Sequence, residues 1–188
     1  KSVSFDRAAL LTELPQADMS VLTDLFGPRL FWMPNTWSTF PISQPIVAVI
    51  SSRIGRNAAV QQLWLRELNA VCRNAAEAQH VLLTAAGTTT ERCVRLWGRL
   101  HHQPVIVLEL PSPKTPPTRW FEQVVHQYSE ANASPDELLY RVFVSPPLRS
   151  AEAAMLKQSE LPQNDRWLCS AAEQVAVVSM RHNGSIAA

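Results

Sequence analysis

The sequence has 188 residues, of which 46% are hydrophobic and 18% are charged, and its formal net charge is +1. This length and composition predict one folded domain with its own core and exclude an intrinsically disordered chain. A net charge so close to zero gives no basis for bulk binding of nucleic acid or of a membrane surface.

Three cysteines are present, and all of them lie in apolar segments: Cys72, Cys93 and Cys169. They form neither a CxxC pair nor a Cys/His cluster with the spacing of a zinc site, so the sequence predicts no metal and no cofactor. Free thiols in apolar segments favour a reducing cytoplasm. No apolar run reaches the length of about 18 residues that a membrane-spanning helix needs.

The chain begins without a methionine, and its first residues lack the apolar core of a signal peptide. We therefore expect a processed chain or a part of a longer one. Residues 1–45 are predicted to form an N-terminal arm, which is helical at first and then irregular. The aromatic and proline-rich residues 28–45 suit an edge strand or a wrapping arm, which covers the edge of its own sheet or of a neighbour's. Self-association therefore stays open.

From residue 46 onward, strand patterns alternate with helix patterns. Continuous apolar runs rich in β-branched residues, such as PIVAVISS, are typical of strands buried on both faces of a sheet. Apolar residues at Leu65, Leu68 and Cys72 have the spacing of one helical face. The predicted strands are 46–51, 81–85, 104–109, 139–145 and 174–180, and the predicted helices are 57–78, 88–100, 119–132 and 149–161.

Strands and helices that alternate with short turns predict a parallel sheet with helices packed on both of its faces. The sequence therefore predicts the α/β class, with a doubly wound, mostly parallel Rossmann-like sheet over residues 46–188. In such a sheet, ligands bind outside the carboxyl ends of the strands. The residues that follow the predicted strands are therefore the candidates for a binding site.

Glycine is scarce in this chain, with five in all, and three of the five follow predicted strands. Gly87 precedes three consecutive threonines, where the second strand ends and a helix begins. A glycine lets the backbone turn sharply and approach a ligand, and the first N–H groups of the helix add a partial positive charge. Such a turn suits a phosphate or another anion. A plain strand-to-helix turn with a threonine cap accounts for the same residues.

Arginines flank two of the three glycine turns, and a guanidinium group matches phosphate and carboxylate in shape and charge. Three of the 17 basic residues are lysines and the remaining 14 are arginines, a bias that genome composition explains equally well. We predict an anion-binding crevice at the carboxyl edge of the sheet. The predicted ligand-binding residues are Ser51, Ser52, Arg53, Gly55, Arg56, Thr84, Gly87, Thr88, Thr89, Thr90, Arg181, Asn183, Gly184 and Ser185.

The segments ISSRIG and LTAAGTTTE resemble the Rossmann-like superfamily of the "Lonely guy" (lysine-decarboxylase-like) phosphoribohydrolases, to which the DNA-processing protein A fold is related. In those hydrolases the first strand ends in G-S-S-x-G, and a later signature reads P-G-G-x-G-T-x-x-E. Here ISSRIG keeps two serines and a glycine, and LTAAGTTTE keeps Gly87, Thr88 and Glu91 after the second strand. Gly184 and Ser185 then stand where the late Gly-Thr would be. The resemblance implies a nucleotide-like ligand.

Two functions of different classes follow, and whether the chain catalyses a reaction stays open. The favoured function is binding or sensing of a small phosphorylated, nucleotide-like anion. The alternative is a hydrolase that splits the N-glycosidic bond of a nucleoside monophosphate, with Glu91 as the catalytic carboxylate. A glutamate in the first turn of a helix also satisfies the helix dipole. The sequence pairs no second acidic residue with Glu91, because Glu109 ends another strand.

A third function is a structural or protein-interaction domain that uses the arm around Trp32 and Trp37. The sequence motifs of other common nucleotide-binding and hydrolase sites are absent from the sequence. The chain has no G-x-G-x-x-G, no Walker P-loop and no G-x-S-x-G elbow.

Overall fold

The computed structural model describes residues 31–32, 44–52, 57–109, 138–144 and 171–179, together with positions 119, 122, 123, 126, 165, 168 and 169. In chain order, the elements are β1 (Phe31–Trp32), β2 (Ile46–Ser51), α1 (Ala58–Glu77), β3 (Val81–Ala85), α2 (Thr89–His101), β4 (Val105–Glu109), β5 (Leu139–Val144) and β6 (Gln174–Ser179). The helix predicted over 149–161 lies outside the described residues. The four described positions of the helix predicted over 119–132 are helical.

The strands form one six-stranded sheet in the order β1-β5-β4-β3-β2-β6. Strands β2 to β6 are mutually parallel, and β1 joins the edge of β5 in antiparallel register. The predicted parallel α/β sheet is therefore confirmed, and the five predicted strands agree with the observed ones to within one residue at each end. The bounds of the strands were predictable because strands buried on both faces of a sheet are continuous apolar runs, which end where polar residues begin.

Side chains that alternate along the strands build two apolar layers, one on each face of the sheet. One layer joins Val47, Val49, Leu82 and Val107 to the helices α1 and α2. The other layer contains the intervening strand residues, and Leu168 and Ala171 pack on it. Described residues thus cover both faces, as expected for a doubly wound sheet.

Helix α1 packs on the sheet through one stripe of residues. The side chain of Asn57 accepts hydrogen bonds from the N–H groups of Ala59 and Val60, which fixes the start of the helix. The buried stripe is Trp64, Leu68, Cys72 and Ala75. Leu65 was expected on this face, and that expectation is wrong, because one residue along a helix turns the side chain by about 100° and leaves Leu65 44% exposed.

Helix α2 ends in a left-handed residue, His102, whose N–H bonds to the carbonyl of Gly98. Gly98 is buried where the helix approaches the start of β4. A Cβ atom at this position would lie 2.9 Å from the carbonyl oxygen of Gln103 and would also strike the side chain of Val105. The close approach of α2 to the sheet therefore depends on the missing side chain.

The cysteines are free thiols. Cys72 is fully buried between α1 and the sheet, and burial raises the pKa of its thiol to about 12. Cys93 and Cys169 are half-buried. Among the described helices, none combines the length and apolarity of a membrane span.

We predict that Gly98→Ala destabilises the protein by about 1 kcal/mol or more, although alanine is ordinarily the better helix former by about the same amount. The added methyl group meets a backbone carbonyl that cannot rotate away. Urea unfolding measures the free energy, and Arg99→Ala, at an exposed neighbouring position, is the control and should change it by less than about 0.5 kcal/mol. A stabilised Gly98→Ala protein would contradict the close packing of α2 on β4.

Candidate functional site

The strand order locates the point at which the sheet reverses its winding. The chain steps from β2 to β3, β4 and β5 in one direction and then returns to place β6 on the other side of β2. Doubly wound sheets bind ligands at the carboxyl ends of the two strands that flank such a reversal. Here those two strands are β2 and β6, which end at Ser51 and Ser179.

A cluster of hydrogen bonds joins the two strand ends at this reversal. The hydroxyl oxygens of Ser51 and Ser179 lie 3.0 Å apart, and the indole N–H of Trp64 donates to the Ser51 hydroxyl at 2.8 Å. Ser51 in turn donates to the carbonyl of Ser52 at 2.9 Å, and the Ser52 N–H donates to the carbonyl of Ser179. Ser51 therefore has no donor left over, and a ligand would reach it only by displacing one of these partners.

The glycine turn lies on the neighbouring strand at the same level. The register of Ala48 with Leu83 places Ser51 level with Ala86, one strand spacing of about 4.8 Å away. Gly87 has a φ of +78°, a conformation that L side chains rarely adopt. A Cβ atom at Gly87 would meet nothing within 4 Å, so the turn opens onto free space.

Thr88 caps the helix that follows the turn. Its hydroxyl accepts the N–H of Glu91 at 2.9 Å and donates to the carbonyl of Ala85 at 3.1 Å. The threonine cap considered from the sequence is thus present. Thr89 is exposed, whereas Thr90 is buried. In the part of the chain that the structure describes, no acceptor bonds to the N–H groups of Thr89 and Thr90, which belong to the first turn of α2.

Two ion pairs lie beneath this helix start, on the face of the sheet that carries α1 and α2. Arg95 donates to the carboxylate of Glu91 at 2.9 Å, one helical turn along α2. Arg141 on β5 donates to the carboxylate of Glu109 on β4 at 3.0 Å. The side chains of Glu91 and Glu109 are only 7% and 17% exposed, so both pairs are largely shielded from water.

The two carboxylates influence each other. Burial raises the pKa of Glu109, Arg141 lowers it, and the negative charge of Glu91 raises it further, with a net shift upward. From the sequence, Glu91 has no acidic partner, because Glu109 ends another strand. The fold brings α2 close enough to the end of β4 for the charge of Glu91 to act on Glu109, and this proximity depends on packing for which the sequence holds no local signal.

Thr84 was predicted as a ligand-binding residue, and the structure places it inside. The residue is 1% exposed, and its hydroxyl oxygen has no hydrogen-bond partner among the residues that the structure describes. It lies on the same face as Leu82 and Val107, beneath the helices. A buried hydroxyl without a partner is costly, at about 1–3 kcal/mol.

The predicted site residues divide into two groups. One group converges on the carboxyl ends of the neighbouring strands β2 and β3, with Thr84 buried and the others around the turn: Ser51, Ser52, Thr84, Gly87, Thr88, Thr89, Thr90 and Glu91. Their ligand-binding roles stay predictions. The remainder lie outside the described residues: Arg53, Gly55, Arg56, Arg181, Asn183, Gly184 and Ser185.

Sequence reasoning missed four residues of this edge: Trp64, Arg95, Arg141 and Ser179. The spacing of Glu91 and Arg95, four residues apart in one helix, could have indicated their ion pair. The other three contacts depend on how strands are aligned in the sheet, and the sequence holds no comparable signal for them.

A cavity of about 250 Å³ lies elsewhere, beside α2 and the amino ends of β4 and β5. It is therefore not the crevice predicted at the carboxyl edge. The residues that line it are Arg92, Arg95, Leu96, Gly98, Arg99, Gln103, Val105, Leu138 and Leu139. Among the described residues, no group of three or more His, Cys, Asp or Glu side chains could hold a metal ion.

Comparison of the chain with protein-family models, with curated proteins and with solved structures finds no significant similarity. The resemblance to the phosphoribohydrolase superfamily stays a hypothesis.

We predict that Glu109→Gln changes the pH dependence of stability. The raised pKa of Glu109 lies above the value of about 4.3 for an unfolded glutamate. Between these two values the folded state binds more protons than the unfolded state, so the free energy of unfolding of the parent falls as pH rises. The amide does not titrate and can still accept from Arg141. The stability of the variant relative to the parent should therefore increase with pH through this window.

Urea unfolding at a series of pH values measures this difference. Glu67→Gln is the control, because Glu67 is an exposed carboxylate paired with Arg66 on α1. If the difference between Glu109→Gln and the parent stays constant with pH, the carboxyl group does not have a raised pKa.

Proposed function

We propose that the carboxyl edge of the sheet binds a small phosphorylated, nucleotide-like anion, and that the protein acts as a binding or sensor module. The observation that carries the proposal is the turn at Gly87. Among the described residues, this turn combines a positive φ, open space and two N–H groups without acceptors at the start of α2.

Electrostatics support an anion at this position. The aligned peptide groups of α2 add a partial positive charge at its first turn, and the N–H groups of Thr89 and Thr90 can donate to phosphate oxygens. The Thr88 hydroxyl has no donor left for the ligand, because it already donates to the carbonyl of Ala85 and accepts the N–H of Glu91. The backbone amides, rather than the threonine hydroxyls, are therefore the proposed donors.

The location favours a nucleotide over a bare anion. The turn adjoins the reversal between β2 and β6, where doubly wound sheets bind mononucleotides and dinucleotides. The sequence also places Arg53, Arg56 and Arg181 in the segments that directly follow these two strands. Guanidinium groups in such segments are suited to bidentate contacts with phosphate.

Hydrolysis of a nucleoside monophosphate is the second candidate, because Glu91 has an acidic neighbour in Glu109. A pair of carboxyl groups suits general acid–base chemistry, and burial raises the pKa of Glu109. Each carboxylate is held by an arginine, however, and both are largely shielded from water. Glu91 is paired within α2 and Glu109 is paired across β4 and β5, and we therefore favour binding over catalysis.

We predict that Gly87→Val and Gly87→Asn both abolish the rise in melting temperature that nucleotides produce in the parent protein. Either side chain enters the open space in which the anion would approach the amides. Asparagine tolerates a positive φ, so Gly87→Asn should keep most of the stability, whereas valine adds a conformational cost of about 1–2 kcal/mol. The probes are inorganic phosphate and the common nucleoside monophosphates, followed by thermal unfolding and calorimetry.

Gln79→Val is the matched control, because Gln79 also has a positive φ, of 56°, in the turn that precedes β3 at the opposite edge of the sheet. It should lose stability and keep the nucleotide-induced shift. A shift that is equal in Gly87→Asn and the parent would remove this turn from the site. A parent protein that no nucleoside monophosphate or phosphate stabilises would overturn the proposed function.

A prediction for Glu91→Gln separates binding from catalysis. We expect the parent to bind nucleoside monophosphates without releasing free base, and the variant to bind equally well. The variant should lose about 0.3–1 kcal/mol of stability, because the amide cannot neutralise Arg95 or the helix dipole. Chromatography of the free base measures turnover, and Glu67→Gln is the control for loss of a carboxylate. Base release by the parent that Glu91→Gln abolishes would establish the hydrolase instead.

A further inference from the structure

Strand β6 forms an open edge of the sheet. Within the described residues it pairs with β2 alone, and nothing pairs with its other side. Its sequence, QVAVVS, contains no charge and no proline. Proteins usually protect such an edge with charged side chains, proline or a covering segment, because an unprotected edge is a template for another strand.

The backbone of β6 points half of its hydrogen-bonding groups outward. The N–H of Glu173 donates to the carbonyl of Ile46. The backbone N–H and C=O groups of the odd-numbered residues of β6 therefore point toward β2. Successive residues of a strand alternate in direction, so Gln174 and Ala176 direct their N–H and C=O groups away from the sheet. These groups are available to a second strand.

Apolar side chains stand beside these groups. Val175 and Val177 are 40% and 41% exposed, although their neighbours in β2, Ala48 and Ile50, are fully covered. The opposite edge of the sheet differs, because the chain covers β5 with its own strand β1. Within the part of the chain that the structure describes, one edge of the sheet is therefore covered and the edge at β6 is open.

We propose that β6 is an interface between two copies of this chain, which pair edge to edge in antiparallel register about a two-fold axis. Six strands of each copy would then form one continuous twelve-stranded sheet. The two-fold axis passes beside Ala176, so that Ala176 faces its own counterpart. This inference does not depend on the proposed ligand.

The sequence of β6 fits its own copy. A two-fold axis perpendicular to the sheet keeps each side chain on its face, so the axis must pass through a residue position. With Ala176 at the centre, Val175 lies opposite Val177 of the second copy and Val177 lies opposite Val175. Cross-strand pairs of β-branched residues stabilise a sheet, and a strand without charge brings no like charges together. The outward groups of Ala176 then form a reciprocal pair of hydrogen bonds.

The register also sets the extent of the interface. Between Ile50 and Ser51 the pairing of β2 with β6 shifts by one residue, and this bulge disturbs the carboxyl end of β6. In the register centred on Ala176, the pairing therefore covers Gln174 to Val178 of each copy, with Gln174 opposite Val178. A ladder of this length buries less than the roughly 800 Å² per partner of a standard interface, so the dimer should be reversible and depend on concentration.

Sedimentation velocity over a concentration series tests the interface with the full chain. The parent should shift with concentration toward twice the mass of one 21.0 kDa chain. Val177→Lys should stay monomeric at all concentrations, because two lysines would face the valines across the axis. Ala176→Pro should do the same, because proline removes an outward N–H group while it leaves the bonds to β2 intact. Val60→Lys is the control, since Val60 is equally exposed on α1.

Hydrogen exchange distinguishes this pairing from any other dimer. The N–H groups of Gln174 and Ala176 should exchange slowly in the concentrated parent and rapidly in Val177→Lys. Thermal unfolding confirms that each variant is folded, and if Ala176→Pro is not, Val177→Lys alone decides. A parent that is monomeric at its highest soluble concentration overturns the proposal, as does a dimer that both variants retain or a dimer with fast exchange at these two positions. A monomer that accepts an added peptide at β6 would also exclude the second copy.

Discussion

The structure depends on hydrogen bonds between neighbouring strands of a parallel sheet. Apolar layers cover both faces of the sheet and keep water from the central strands, so the backbone N–H and C=O groups of these strands must bond to each other. Parallel pairing of β2 to β6 places the carboxyl ends of these strands along the same edge of the sheet. Where β3 leaves this edge, the turn into α2 has a positive φ at Gly87. The constraint that completes the core therefore also fixes this turn beside the carboxyl end of β2.

Two ion pairs determine which charges are accessible at this edge. Near the first turn of α2, the carboxylate and the guanidinium group neutralise each other within each of the pairs Glu91–Arg95 and Glu109–Arg141. The Glu91 carboxylate is held by Arg95 and is only 7% exposed, so it does not stand at the surface of the turn. An anion at Gly87 would therefore meet the backbone amides of the turn and not an exposed carboxylate.

The sequence predicted the strands well, because a run such as Ile46–Ser51 that is apolar at every position has few alternative structures. It predicted the helix over 57–78 but misplaced its buried face by one residue, at Leu65 instead of Trp64. Both residues are apolar, and only packing on the sheet selects between them. The turn at Gly87 was predictable from local chemistry, whereas the contacts of Ser51 with Ser179 and of Glu109 with Arg141 follow from strand alignment, which a single sequence does not encode locally.

The position of β6 has a consequence for how the molecule opens. Among the described strands, β6 pairs with one neighbour, whereas β2, β3, β4 and β5 each pair with two. A local separation of β6 from β2 therefore costs less than the separation of one of these central strands. Such a separation carries Ser179 away from Ser51 and breaks the cluster in which the indole of Trp64 donates to Ser51. The reversal of the sheet can then open while the layer between α2 and the central strands stays intact.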